Sequence, residues 1–308
     1  MSAPLPIDVA RLKKRFDTVA GCYGDAAVVQ REVGNRLLER FDVMRIAPSI
    51  VLDVGCGPGT HTAALSQRFP DAAVVGIDQS PAMVARAVPL VAKPGWLARL
   101  TAGGSRKTGK GEIRGIVADM NALPLPREYA DVLWSNFALQ WANDLPALFA
   151  EWHRVLNVGG AVMFTAPGPD TLIELRRAIS RNDGEADKYV QRFTDLHDIG
   201  DMLVQAGFAD PVMDMELITL EYATTDALWR DVKAQGASNA MQTRARGLMT
   251  PHKLGTIEAA LDAARRDGGP IRMSVEVIYG HAWKVAPKKT VEGHGIVRLA
   301  SIGRGPRR

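Results

Sequence analysis

Cysteine is nearly absent from this chain: Cys22 and Cys56 are the two among 308 residues. That is too few for a disulfide framework and fits a reducing compartment. Nowhere does an apolar run approach the roughly eighteen residues a membrane-spanning helix needs. The first residues, MSAPLPIDVARLKKRF, are charged where a secretory signal would be continuously apolar. A cytoplasmic protein is therefore expected. The sequence also lacks a fixed-period repeat, a nucleic-acid-binding signature and a cluster with metal-ligand spacing. Charge is close to balanced at +4, and part of the excess sits in the tail at Arg304, Arg307 and Arg308. A solvated tail is the simpler reading of those arginines; attraction to an acidic partner is the alternative.

What remains is ordinary globular material, 46% hydrophobic and 23% charged, enough for one large α/β domain with embellishments. Short β-type runs at 50–54, 73–77, 113–118, 132–135 and 160–165 alternate with helical patterns at 60–69, 81–87 and 145–156. Such alternation predicts a parallel sheet with crossover helices. A helix over 195–206, a strand near 212–220, a helix over 256–266 and a strand over 271–283 complete the pattern. The expected organisation is a helical N-terminal arm over 1–44, a main domain over 45–290 and a basic tail over 291–308. Two polar insertions, about 167–191 and 224–247, are expected to form a lid, and the Gly- and Lys-rich stretch Gly103–Gly111 a mobile surface loop.

The chemistry concentrates at the ends of the first four strands. VLDVGCGPG places Asp53 at a strand end, then Gly55, Gly57 and Gly59 before a helix that opens at Thr60. Glycines there let backbone approach a ligand, and the helix start offers unpaired N–H groups. The spacing G-x-G-x-G differs from the G-x-G-x-x-G of dinucleotide sites, and Asp53 would repel a pyrophosphate while suiting a cationic ligand. Asp78 and Gln79 follow the second strand, where an acid can accept both ribose hydroxyls. Asp119 and Met120 follow the third, placed to accept from an adenine amine and to pack on its ring. Asn136 and Phe137 follow the fourth. Any single aspartate is readily a helix cap, but polar groups at four successive strand ends face the crevice where open α/β sheets bind ligands.

The segments DVGCGPG, GIDQS and ADMNALPL resemble the class I S-adenosylmethionine-dependent methyltransferases over about residues 45–165. The resemblance implies S-adenosylmethionine as cofactor and a Rossmann-like, seven-stranded, mostly parallel sheet with helices on both faces and its last strand antiparallel. Segments RFDTVAGCYGDAAVVQRE, SNFALQWANDLP, APGPDTLIELRRA, FTDLHDIGDMLVQAGFADPVMDME and VKAQGASNA extend the similarity through nearly the whole chain. Together they are similar to the malonyl-[acyl-carrier protein] O-methyltransferase family of biotin synthesis. That implies methylation of the free carboxylate of a malonyl thioester, with an acyl carrier protein as partner.

Such a carboxylate is ionised at neutral pH, so the reaction needs orientation and exclusion of water rather than a general base. A cation has to hold the carboxylate, which arginine does best. Arg176 in TLIELRRA is the candidate, with Arg177 second, and a surface arginine of an amphipathic helix is the plain alternative. Tyr23 matches the family's N-terminal tyrosine. Arg11, Lys13, Lys14 and Arg15, with Arg244 and Arg246, form the expected footprint of the acidic carrier, against ordinary solvated helix faces. His197 and Cys56 read as structural, and Gln140 and Trp141 as pocket walls. With no metal cluster in view, activity is expected to survive a chelator. Three other functions fit parts of the sequence. They are a complex I assembly-type relative acting on protein arginine, a small-molecule C-methyltransferase using His153 or His197 as base, and a non-catalytic scaffold.

Overall fold

Ile50–Val54 (β1) is buried at all five positions, as a central parallel strand covered on both faces requires. The computed structural model describes residues 6–87, 112–184, 186–234, 240–245, 247, 249–265 and 268–286. Six further strands join β1 in one sheet: β2 (Ala73–Asp78), β3 (Ile113–Val117), β4 (Ala130–Asn136), β5 (Leu156–Pro167), β6 (Phe208–Tyr222) and β7 (Ile271–Lys284). Their order is β3-β2-β1-β4-β5-β7-β6. Pairing is parallel from β3 through β5, while β7 runs antiparallel to both β5 and β6. This is the Rossmann-like α/β sheet with one reversed strand that the motifs imply. Strand order reverses between β1 and β4, which opens a crevice beyond their carboxyl ends.

Alternate residues of the strands feed two cores. Leu52, Ile77, Leu133 and Phe164 pack on one face with Leu148, Phe149 and Trp152 of α6 and Ile199 and Leu203 of α8. Helix α6 spans Leu145–Val155 and α8 spans Leu196–Gln205. On the other face Val51, Val74, Val132 and Trp134 pack against Val33, Leu37 and Phe41. Val33 and Leu37 belong to α3 (Val28–Glu39), so this part of the N-terminal arm is built in as a covering layer of the sheet. The rest of the arm is α1 (Val9–Val19), which packs on α5 (Pro81–Ala87), and the short α2 (Tyr23–Ala26), while α3 meets α4 (Thr60–Arg68). Where α1 meets α5, Asp17 Oδ1 accepts from Ser80 Oγ at 2.5 Å.

The two insertions contribute α7 (Ile173–Asp183) and α9 (Thr225–Ala234). With α10 (Pro251–Ala263) they bury Leu175, Ile179, Leu228 and Ile257 against Met273 of β7, forming a satellite core beyond the sheet. Helix α10 starts five residues before the expected Thr256. Thr250 Oγ1 accepts from the Lys253 N–H at 3.2 Å, and Pro251 has no N–H to leave unpaired. Strands β5 and β6 likewise outrun the expected 160–165 and 212–220: β6 pairs along the long β7, while β5 pairs with β7 through Pro167 and starts at Leu156 opposite Ala130 of β4. The Gly103–Gly111 loop, the basic tail, residues 235–239 of VKAQGASNA and Arg246 lie outside the described residues.

Candidate active site

The glycine loop is held at the switch point by backbone. Both the Gly55 and Cys56 N–H groups donate to the Ile77 carbonyl of β2, at 2.8 and 3.0 Å. Gly55, Gly57 and Gly59 have φ of 78°, 52° and 87°, the left-handed region that costs a side chain dearly. Their reasons differ. A Cβ on Gly55 would lie 2.5 Å from the Cβ of Ala138, and one on Gly59 would lie 2.4 Å from the Cα of Ala87. Those two glycines let the loop press on β4's exit and on α5. At Gly57 the nearest atom is Tyr23 Cε1 at 3.8 Å, so a Cβ there would project into a cleft.

Three acids surround the loop. Asp53 is buried, and its Oδ2 accepts from Thr62 Oγ1 at 2.6 Å. Burial pushes its carboxyl up to about 7; the Thr62 bond opposes the rise and the nearby Asp78 adds to it. Asp78 accepts from the Gly57 N–H (3.0 Å) and the Ser80 N–H (2.8 Å), and burial raises its pKa too. Asp119 accepts from both the backbone and side-chain nitrogens of Asn121, at 2.9 and 2.7 Å. At the end of β4, Thr165 Oγ1 accepts from the Phe137 N–H (3.0 Å) and donates to Asn136 Oδ1 (2.7 Å), while Asn136 Nδ2 donates to the Gln30 carbonyl at 2.8 Å. Phe137, at φ 49°, is held in a strained conformation by this network.

These groups line two adjoining clefts. The larger, about 710 Å³ with its open mouth, is walled by Tyr23, Gly55, Gly57, Asp78, Gln79, Asp119, Met120 and Asn136, together with Phe16 of α1 and Met83 of α5. The smaller, about 470 Å³, lies toward α3 and adds Asp53, Gln30, Arg31 and His61. Of the residues expected at the cofactor, the structure brings together all but Gly59, which packs behind the loop. The donor set fits an adenosyl ligand with an amino-acid end: two carboxylates at the β2 and β3 ends, a backbone cradle at Gly57, and a cation at Arg31. Arg31 escapes sequence reasoning because only the turn at Ala27 between α2 and α3 brings it to Gly57. Its guanidinium donates to the Gly24 carbonyl at 3.2 Å.

A third cavity, about 2380 Å³ and open to the outside, shares Phe16, Tyr23, Phe137 and Trp141 with the first cleft. Arg176 does not line it. Its guanidinium is spent on Asp187 (2.5 Å) and on the carbonyls of Val190 and Gln191, both at 2.9 Å. The expected acceptor ligand is thus a clamp on the 186–191 segment, and Arg177 is exposed on α7 away from the lining. Glu174 of the same motif is similarly engaged, accepting from the Ser274 N–H and Oγ of β7 at 2.9 and 2.6 Å. The clamp has a consequence for the pocket, since Gln191 Nε2 donates to the Gln140 carbonyl at 2.7 Å. Arg176→Ala should cost on the order of 2 kcal/mol in stability and raise KM for the acceptor, with cofactor affinity unchanged. Thermal melts and separate KM values check this, and Arg176→Lys should rescue poorly because a single nitrogen on a shorter side chain cannot reach acceptors that the guanidinium meets through two separate nitrogens.

Neither histidine proposed as a base lines any of the three cavities. His197 is exposed at the start of α8 beside its cap Asp195, at 2.9 Å. His153 packs edge-on against Phe208 at 5.1 Å, with burial lowering its pKa. Cys56 is a buried small residue under Gly76, and burial holds its thiol up. Of the basic footprint, Arg244 pairs with Asp8 at 3.3 Å at the start of α1, while Arg11, Lys13 and Lys14 are exposed on that helix. Residues 6–8 and 240–242 are tied by an antiparallel bridge between Ile7 and Met241.

Comparison with known proteins agrees with this geometry. Residues 52–164 match a methyltransferase domain family. Among solved structures, the YcgJ protein of Bacillus subtilis superposes with a TM-score of 0.55 at 16% identity, over 82% of this chain and 99% of its own. A Haemonchus contortus phosphoethanolamine N-methyltransferase 2, in complex with S-adenosylhomocysteine, superposes with a TM-score of 0.53 at 18% identity, over 89% and 60%. Fold and site together define a class I S-adenosylmethionine-dependent methyltransferase. Among its relatives, the malonyl-[acyl-carrier protein] O-methyltransferases of Nitrosospira multiformis and Laribacter hongkongensis are each 43% identical. The matches cover 92% of both chains in the first case, and 95% of this chain and 96% of the relative in the second. The Legionella pneumophila protein of that name is 37% identical over 92% and 93%. The chain belongs to the malonyl-[acyl-carrier protein] O-methyltransferase family.

Proposed function

We propose that the protein methylates the free carboxylate of a malonyl thioester carried on acyl carrier protein, in the cytoplasm, giving the malonyl methyl ester that primes pimeloyl and hence biotin synthesis. The observation that carries this reading is the meeting of the cofactor clefts and the third cavity at Tyr23, Phe137 and Trp141, in a chain of this family. S-adenosylmethionine, when bound, supplies a methyl group on a sulfonium, which an ionised carboxylate attacks without a base. The chain's residues have only to bind, orient and exclude water.

Asp78 and Gln79 are assigned to the ribose hydroxyls, Asp119 and Met120 to the adenine, and Gly55 and Gly57, with Gly59 shaping their turn, to the backbone cradle. Asp53 and Asn136 face the amino-acid end, where Arg31 is the cation for its carboxylate. Tyr23 lines all three cavities. Burial first, and then Asp78, push its phenol up to about 12. It therefore keeps its proton at neutral pH and donates a hydrogen bond to the acceptor carboxylate, the orienting role first given to Arg176. The described parts of the two insertions, among them Leu175, Val190, Leu228 and Val232, wall the acceptor cavity. The deciding experiment offers labelled S-adenosylmethionine with malonyl-carrier protein and with acetyl-carrier protein. Label on the malonyl form alone supports the reading; no transfer while cofactor still binds overturns the substrate. Tyr23→Phe should lower kcat/KM for the malonyl carrier by about 10- to 100-fold and leave the cofactor Kd within about threefold, as steady-state kinetics and calorimetry will show.

A further inference from the structure

Helix α3 is gripped from the sheet domain at two successive residues. Asn136 Nδ2, at the end of β4, donates to the Gln30 carbonyl at 2.8 Å. His61, at the start of α4, makes a hydrogen bond to the backbone of the next residue, Arg31. A helix carbonyl keeps a second lone pair beside its ladder bond, so both grips hold α3 without breaking it. Gln30, Arg31, His61 and Asn136 all line the smaller cofactor cleft.

Packing alone does not account for an imidazole at position 61. The residue is 8% exposed, its ring lies 6.0 Å from that of Trp134, and its buried Nε2 has no partner among the described residues. A bare buried polar atom costs stability that an apolar side chain in the same place would not. Burial lowers the pKa of the ring, with the bond to Arg31 opposing the fall, so at neutral pH the ring is uncharged and carries one N–H. With Nε2 bare, that N–H is on Nδ1 and donates to the Arg31 carbonyl. Helix α3 is notched to receive the ring. Gly34, buried and one turn beyond Gln30 and Arg31, has no side chain there. A Cβ on it would lie 2.1 Å from His61 Cε1 and 2.2 Å from Nε2. Glycine weakens a helix interior, and here the space it leaves is filled by the ring.

We propose that His61, seated in the Gly34 notch, is a positioning residue for the cofactor's amino-acid end: it fixes α3 on α4 so that Arg31 meets the cofactor carboxylate beside the glycine loop. The inference rests on the assignment of Arg31 to that carboxylate. Arg31 is exposed, and its guanidinium contacts the Gly24 carbonyl at 3.2 Å. In water a loosely placed cation attracts an anion weakly, so its worth depends on the backbone that brings it close.

The test compares S-adenosylhomocysteine, which carries the amino-acid end, with methylthioadenosine, which lacks it, by calorimetric titration of the full-length protein. His61→Leu removes the bond and keeps an apolar filling. It should raise Kd for S-adenosylhomocysteine at least about tenfold and for methylthioadenosine less than about threefold. His61→Asn puts an amide nitrogen where Nδ1 stood and should return the first Kd to within about threefold of the unaltered protein. Gly34→Ala, a change that ordinarily favours a helix, should repeat the selective loss because its Cβ meets the ring. Arg31→Ala combined with His61→Leu should weaken S-adenosylhomocysteine no further than Arg31→Ala alone. Equal losses for the two ligands, or additive losses in the double variant, overturn the inference. A selective loss with Arg31→Ala but with neither His61→Leu nor Gly34→Ala overturns it and leaves the Arg31 assignment standing. Arg31→Ala without effect on S-adenosylhomocysteine overturns that assignment, and the inference with it. Should His61→Leu fail to fold, Gly34→Ala and His61→Asn carry the test.

Discussion

Gly55→Ala is expected to weaken S-adenosylmethionine binding by more than about 100-fold, roughly 2.7 kcal/mol, and to lower the melting temperature by several degrees. Two effects add. At φ 78° an alanine pays the left-handed penalty, on the order of 1–2 kcal/mol. Its Cβ would also meet the Ala138 Cβ at 2.5 Å. Ala138 sits directly after Phe137, itself held at positive φ by Thr165, so the loop is the side that must give. Moving it strains the two bonds to the Ile77 carbonyl and displaces backbone shared by both cofactor clefts. Gly159 is the control. It has a similar φ of 86° and open space where a Cβ would go. Gly159→Ala should therefore lose about 1–2 kcal/mol of stability and no cofactor affinity. Thermal melts and calorimetric titration of both variants separate strain from close approach, and equal losses of affinity would refute the assignment.

Asp53→Asn should stabilise the cofactor-free protein while weakening cofactor binding by at least about tenfold, a trade-off typical of functional sites. Asparagine keeps an acceptor for Thr62 and removes a charge that burial disfavours. The sign of the pH dependence follows. Asp53 titrates near 7 in the folded protein, against 3.8 for the ordinary carboxylate. The folded state thus holds a proton that the unfolded state has released between those values. Stability from this group is greatest below about pH 4, falls as pH rises to about 7, and is level above. The advantage of Asp53→Asn in melting temperature should grow across that window and vanish at its acid end. Cofactor affinity should show the opposite trend in the unaltered protein. A cationic ligand favours the carboxylate, so Kd should tighten as pH rises through 7, whereas the Asn variant should lack that step. Equal pH profiles for the two proteins would remove Asp53 from the amino-acid end of the site.

Local chemistry made much of this legible before any fold was known. The strand ends at Asp53, Asp78, Asp119 and Asn136 could be read because apolar runs of five or six residues stop there in phase. The glycine loop could be read because its spacing admits few ligands. Arg176 is engaged away from the cavity lining for an instructive reason. The sequence offers a cation in a segment near the pocket, but nothing in it says that Asp187, eleven residues on, will claim the guanidinium first. Asp187 meets Arg176 only because the chain turns back after α7.

By itself, then, the sequence determined the parallel sheet, the glycine loop and the acids at its edge, since these depend on residues adjacent along the chain. Tertiary structure alone decided that α1 and α3 wrap the clefts, that Arg31 reaches the loop and that Ile7 pairs with Met241. It likewise decided that the cofactor cleft opens into a large apolar cavity at Tyr23. Each of these joins segments far apart in sequence, and which segments meet is set by the packing of both sheet faces together.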